Sequence, residues 1–335
     1  MRKKLLISVL FILILGLITQ LKLQKIFGLK PSPEKNYKIR IGCSSLTPIH
    51  CMFGEIFKRT QILAKYGLDG KITFFLHGSD QAEACKKNKI DATFSCEVPA
   101  IYHLVEFPYM RIVGTPGSLG RIALIVPKES NIFSVKDLKN KRILVHSGSS
   151  AMMMIHKWLG DSQLVPDRDV DLIPTGKDLI LNKLYDEKAE AAVSWDPWLE
   201  IFLKKHDFRI IRQRPFYSVI FISQRYMEEF PHATTQYIAA LREALFWATK
   251  HKELVCKWVS EGSGLETNTV KNVMDFNENW LLAKSKKNID LCLSQEVVKI
   301  LKECSEFVRK IVGLPKDFDV IERINLNLSG DEYAK

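Results

Sequence analysis

Between residues 37 and 250 the sequence switches back and forth between two hydrophobic periods, and that alternation excludes most architectures. Tyr37-Lys-Ile-Arg-Ile-Gly42 alternates with the period of a strand and closes on glycine. Pro48 suits the first turn of a helix reaching Thr60. Ile72–Leu76 is a second strand, Ser79 or Asp80 caps a helix to Lys87, and Ile90–Ser95 is a third strand. The pattern resumes with a strand at Arg142–His146, a helix at Ala151–Leu159 and an amphipathic helix at Lys177–Asp186. A short strand at Ala191–Ser194 and a strong one at Ser218–Ile222 follow. A helix over 232–250 carries Tyr237, Leu241, Leu245 and Ala248 on one side, and the tail from 254 to 312 reads as helical. Strands alternating with helices imply βαβ units and a mainly parallel sheet. Loops at the carboxyl ends of such strands form the ligand crevice.

The start of the chain follows different rules. Met1-Arg-Lys-Lys4 precedes an apolar stretch, Leu5–Ile18, in the pattern of a secretory signal. No small-residue cleavage site follows, so residues 1–30 are expected to be either a signal sequence or an N-terminal membrane anchor, with the globular part exported. That places the protein in the periplasm or at the cell surface. Of the net charge of +11, six positive charges fall in residues 1–30, leaving +5 for the rest. So modest an excess, without a basic stripe interleaved with aromatics, gives no sign of a nucleic-acid partner. At 335 residues, 46% of them hydrophobic, the chain can bury two cores.

Seven cysteines leave at least one unpaired, and no CxxC spacing supports a zinc or redox site. Buried free thiols are expected. Cys43 and Cys96 end neighbouring strands and could approach disulfide distance, while His50 and Cys51 near the same rim permit a metal-site reading. Cys292 and Cys304 are expected about three helical turns apart, roughly 18 Å, too far to bond.

Five segments in order carry a family resemblance. They are Ile39–Gly42, Lys89-Ile-Asp-Ala-Thr-Phe94, Ile125–Ser130, Ser134–Val145 with Gly148-Ser-Ser-Ala151, and Ala191-Ala-Val-Ser-Trp-Asp-Pro-Trp198. Together they make the chain, from about Lys38 to Val312, resemble the nitrate/sulfonate/taurine-type solute-binding proteins of ABC importers. The chain is also similar to thiamine-pyrimidine precursor binders. The resemblance implies an α/β fold, a two-lobed periplasmic-binding-protein type II clamp with a mixed, mainly parallel sheet flanked by helices in each lobe. Lobe 1 would be 38–124 plus 217–312, lobe 2 would be 125–216, and 313–335 a C-terminal tail. Two crossing strands near Leu124–Val126 and Pro215–Tyr217 would act as a double hinge.

Within that frame the expected ligand contacts are Gly148, Ser149 and Ser150, where a strand runs into a helix and leaves backbone N–H groups free for an anion. Otherwise Ser149 or Ser150 is a plain helix cap. Trp195 offers a flat wall and Asp196 an acceptor for an amine, unless Asp196 merely caps a helix begun by Pro197. Ser44, Ser45 and Thr47 follow the first strand, and Cys96 and Glu97 follow the third, where many family members carry a small or Asp-containing turn. Acids at 97 and 196 beside an anion site lean towards a zwitterion such as an aminosulfonate, or a pyrimidine. Arg121 could pair with an anion but reads as a solvated surface residue. Asp91 is expected to brace a neighbouring turn.

The sequence shows no nucleophile elbow, P-loop, HExxH or dinucleotide glycine pattern. The enzyme rival on this fold is the thiamine-pyrimidine synthase type, which carries a dense cysteine cluster and lacks an export signal. Here the cysteines are dispersed and the signal is present. The expectation is a non-enzyme without cofactor or metal: a monomer that binds a small polar solute by lobe closure and delivers it to an ABC permease with its ATPase subunits. A sensory module using the same clamp is the other alternative.

Overall fold

A computed structural model describes residues 36–325 except 177, 178, 187 and 206. The N-terminal apolar stretch therefore lies outside the described residues. Among the described residues no helix is long and apolar enough to cross a membrane.

The strands are β1 (Tyr37–Ser44), β2 (Leu68–Phe75), β3 (Ala92–Cys96), β4 (Met110–Gly114), β5 (Ser118–Pro127), β6 (Arg142–Val145), β7 (Asp171–Pro174), β8 (Ala191–Trp195) and β9 (Phe208–Ser223). They form one sheet in the order β2-β1-β3-β9-β5-β8-β6-β7, with β4 also on β9. β1 lies parallel to both neighbours, Ile41 facing Ile72 on one side and Ala92 on the other. At the other end β6 lies parallel between β7 and β8.

The two ends are joined by long antiparallel strands. Residues 218–222 of β9 pair with β3, while its residues 208–217 pair with β5, which pairs in turn with β8. Two strands thus pass between the halves of the sheet, as the two expected crossings required. They are longer than the sequence indicated. Ser218–Ile222 is only the end of a 16-residue strand, because its first half, rich in arginine and glutamine, is half-exposed and lacks an apolar run.

The helices that position the site are α1 (Pro48–Arg59), α2 (Gly78–Lys86), α3 (Glu97–Glu106), α4 (Ser150–Asp161), α5 (Trp198–Lys205), α6 (Pro231–Lys250), α7 (Thr267–Met274) and α8 (Gln295–Ile311). α1 turns Ile49, Met52, Phe53 and Ile56 into the core at helical spacing. Each fully buried side chain of that size contributes roughly 1.5–3 kcal/mol. The stripe expected on α6 is fully buried at Tyr237, Leu241, Leu245 and Ala248. A separate small core, including Ala123, Ile180, Leu199 and Phe202, fills the far side of the β8 half.

Several expectations need correction. Cys43 and Cys96 are both free thiols, so they do not pair. Cys292 lies in a loop before α8 rather than on a helix with Cys304, its amide bound by the Asp290 carboxylate at 2.8 Å. His50 and Cys51 do not point to one centre: His50 bonds Ser218 at 2.7 Å, whereas the Cys51 thiol faces the Val259 carbonyl at 4.0 Å. Asp91 braces Arg40 of β1 rather than a turn, accepting from its amide at 2.9 Å and from its guanidinium at 2.9 and 2.6 Å.

Candidate functional site

A cleft of about 180 Å³ opens between the two halves of the sheet at the carboxyl ends of β1 and β3. Ser44, Leu46, Thr47 and His50 border it from the end of β1 and the start of α1. Gly78 and Gln81 come from α2, and Phe94, Cys96, Pro99 and His103 from β3 and α3. The other half contributes the Trp195–Trp198 turn, and Phe216 of β9 closes the floor.

The backbone explains what such a cleft attracts. Thr47, His77 and Cys96 stand at the N-caps of α1, α2 and α3, and none of the three accepts a helix-capping hydrogen bond on its side chain. Residues from the first turn of each helix line the cleft, as does Trp198 at the start of α5. Several helix N-termini therefore bring orphan N–H groups and positive dipole ends to one space. Among the described residues no lysine or arginine lines it.

Apart from Asp196, the described polar side chains lining the cleft are uncharged. Thr47 Oγ1 donates to Ser44 Oγ at 3.1 Å, and Gln81 Nε2 donates to the Phe94 carbonyl at 2.8 Å. Burial pushes His50 down to about 3 and His103 to about 4, so both rings are neutral at ordinary pH. Burial, helped by Glu97, pushes the Cys96 thiol up to about 12 and keeps it protonated. The remaining surface is largely aromatic, and Phe94 is stacked between His50 and Phe53 at centroid distances of 5.1 and 5.0 Å.

Of the residues singled out from the sequence, Ser44, Thr47, Cys96, Trp195 and Asp196 line this cleft, while Ser45, Glu97, Gly148, Ser149 and Ser150 do not. Two acids and two hydroxyls are engaged within the protein. Glu97 is gripped by Arg214 at 2.7 and 2.5 Å and accepts from the Tyr217 amide at 2.9 Å. Asp196 accepts from the Arg121 amide at 2.8 Å and its Nε at 3.0 Å. Arg121 is thus no solvated surface residue: it also binds Glu200 at 2.9 Å and lies over the Phe276 ring. Ser149 caps α4 through the Met152 amide at 3.2 Å, and Ser150 Oγ accepts from the Val98 amide at 3.1 Å. The Gly-Ser-Ser turn still approaches the Trp-Asp turn, because the His146 and Trp195 rings lie 6.0 Å apart.

His50, Gln81, His103 and Phe216 escaped the sequence reading as ligand contacts. The loop after β2 should have drawn notice, since it too ends a parallel strand. His50 sits within the first turn of α1, His103 lies deeper in α3 and Phe216 mid-strand, where no local pattern marks them as ligand contacts.

This arrangement of two sheet halves, two crossing strands and an open cleft defines a clamp of the periplasmic-binding-protein type. More particularly, residues 113–254 match the family described as NMT1/THI5 like, in agreement with the resemblance read from the sequence. A Bacillus subtilis (strain 168) protein named for binding aliphatic sulfonates is 24% identical over 262 residues, 76% of each chain. The periplasmic aliphatic sulphonate binding protein SsuA from Escherichia coli superposes with a TM-score of 0.74 at 18% identity, covering 88% of this chain and 92% of that one. The desulfurization enzyme DSZB shares the fold at a TM-score of 0.63 and 15% identity, over 87% of this chain and 97% of its own.

Proposed function

We propose that the cleft captures a small organic oxyanion of the sulfonate type, and that the chain is the extracytoplasmic solute-binding component of an ABC importer. The convergence of uncapped N-termini of α1, α2 and α3 on a cleft that no lysine or arginine lines among the described residues carries this reading. Backbone N–H groups would hold the oxyanion, while Phe94, Phe216, Trp195 and Trp198 would pack against its carbon skeleton. With Glu97 and Asp196 both paired to arginine, neither acid singled out from the sequence is free for the cationic half of a zwitterion. The likeness to sulfonate-binding proteins points the same way.

Closure would bring lobe 1 (38–124 plus 217–312) against lobe 2 (125–216) about β5 and β9, and the solute would stabilise the closed state through its differential affinity for it. The closed form, exported and monomeric, would then deliver its solute to a permease driven by ATPase subunits. An enzymatic role gains nothing from Cys96, whose half-buried, protonated thiol is a poor nucleophile. The test is calorimetric titration of the full-length protein with ethanesulfonate, nitrate, bicarbonate and a thiamine-pyrimidine precursor. Ethanesulfonate is expected to bind, and at 100 times its Kd to stabilise the fold by about 2.7 kcal/mol. Binding of the pyrimidine with no response to ethanesulfonate would overturn the oxyanion assignment.

A further inference from the structure

His50 is 2% exposed and lines the cleft, yet only one of its ring nitrogens has a partner. Nε2 lies 2.7 Å from Ser218 Oγ, which also approaches the Ser95 carbonyl at 3.2 Å. A serine hydroxyl has a single hydrogen, and a carbonyl can only accept. Both contacts are hydrogen bonds at once only if Ser218 donates to Ser95 and accepts from Nε2–H. Nδ1 is then a bare acceptor. Phe94 covers one face of the ring and is itself backed by Phe53, while Ser218 holds the Nε2 edge. Thr115 fixes Ser218 in turn, its hydroxyl donating to the Ser218 carbonyl at 2.7 Å. A buried acceptor left without a donor opposes folding, so a rigidly held one beside a binding cleft is explained when the guest supplies the donor.

We infer that His50 is a specificity-determining residue, and that the solute carries an uncharged hydroxyl or amide N–H beside its oxyanion, donated to His50 Nδ1. This rests on the oxyanion reading of the cleft and narrows it from plain alkanesulfonates to donor-bearing ones. The ammonium alternative lacks a carboxylate to receive it among the described residues, because Asp196, the one acid among them that lines the cleft, is held by Arg121.

The experiment compares 2-hydroxyethanesulfonate with ethanesulfonate by calorimetric titration of the full-length protein, its His50→Phe variant and its His50→Gln variant. Phenylalanine keeps the ring stack on Phe94 and removes the acceptor, whereas glutamine restores an acceptor without the ring. The wild type is expected to favour the hydroxylated probe about three- to tenfold, the gain of one hydrogen bond to an uncharged group. His50→Phe should bind both probes alike, and His50→Gln should recover part of the preference. Equal affinities of both probes for the wild type, or a preference that survives in His50→Phe, would overturn the His50 assignment while leaving the oxyanion reading intact. Failure of both probes to bind the folded wild type would overturn both.

Discussion

Arg214 of β9 holds Glu97, the first residue of α3, through both carboxylate oxygens, at 2.7 and 2.5 Å, with the carboxylate 1% exposed. Burial works against the guanidinium charge, but Glu97 more than compensates and holds Arg214 above its usual range. The pair ties the helix that forms one cleft wall to a strand shared by both halves of the sheet. Glu97→Gln leaves a half-buried arginine without its counter-charge and should cost up to about 3 kcal/mol in urea unfolding. A Glu97→Met, Arg214→Met double variant should recover most of that loss, and a single variant as stable as the wild type would show the pair to be dispensable.

His50 ties stability to pH. Its folded value is lowered by burial from 6.5 to about 3, so between those limits the unfolded chain binds the extra proton. Stability should therefore be complete above pH 6.5 and fall as the medium is acidified, by up to about 1.4 kcal/mol per pH unit from this ring alone. His103, lowered to about 4 for the same reason, adds to the slope. The His50→Phe variant should show a shallower acid limb in thermal melts from pH 7 to 4, and an unchanged slope would mean that His50 is charged in the folded state.

Strand–helix alternation was enough to expose the α/β plan, since parallel strands buried on both faces are written as apolar runs such as Ile143–Val145 and Ala191–Val193. Turn chemistry likewise marked Thr47, Cys96 and the Trp195–Asp196 pair, because the ends of parallel strands are where a crevice must lie. Side-chain pairing was hidden. Nothing local tells that Glu97 meets Arg214, 117 positions away, or that Asp196 meets Arg121, 75 positions away. The helix over Glu97–Glu106 was missed because Pro99 sits in its first turn and reads out of context as a breaker.

Ser150 illustrates how a ligand motif and a structural clasp share one signature. Its hydroxyl accepts the Val98 amide at 3.1 Å, so the start of α4 is stitched to the first turn of α3. Ser150→Ala orphans that amide and should destabilise by about 1–3 kcal/mol, while Ser149→Ala should cost about 1 kcal/mol through loss of the α4 cap. Neither hydroxyl lines the cleft, so calorimetric affinity for ethanesulfonate should stay within about twofold of the wild type, well inside 1 kcal/mol. A larger loss of affinity in the folded variants would show that these hydroxyls reach the solute on closure.

Thr47 separates the sign of the solute's charge from the stability of its binding wall. It stands at the N-cap of α1 with its hydroxyl turned to Ser44 instead of the helix amides, and it borders the cleft. An aspartate there is a better cap and faces the positive end of the helix dipole, so Thr47→Asp should hold or raise stability by about 0.3–1 kcal/mol. The same carboxylate would occupy the N–H groups offered to an oxyanion and repel its charge. Affinity for ethanesulfonate should fall at least about tenfold, or 1.4 kcal/mol, as the melting temperature holds or rises. A cationic solute would respond in the opposite sense, gaining affinity from the added carboxylate. Thermal melts and calorimetry on this single variant thus test the helix-terminus mechanism without the ambiguity of a destabilised fold.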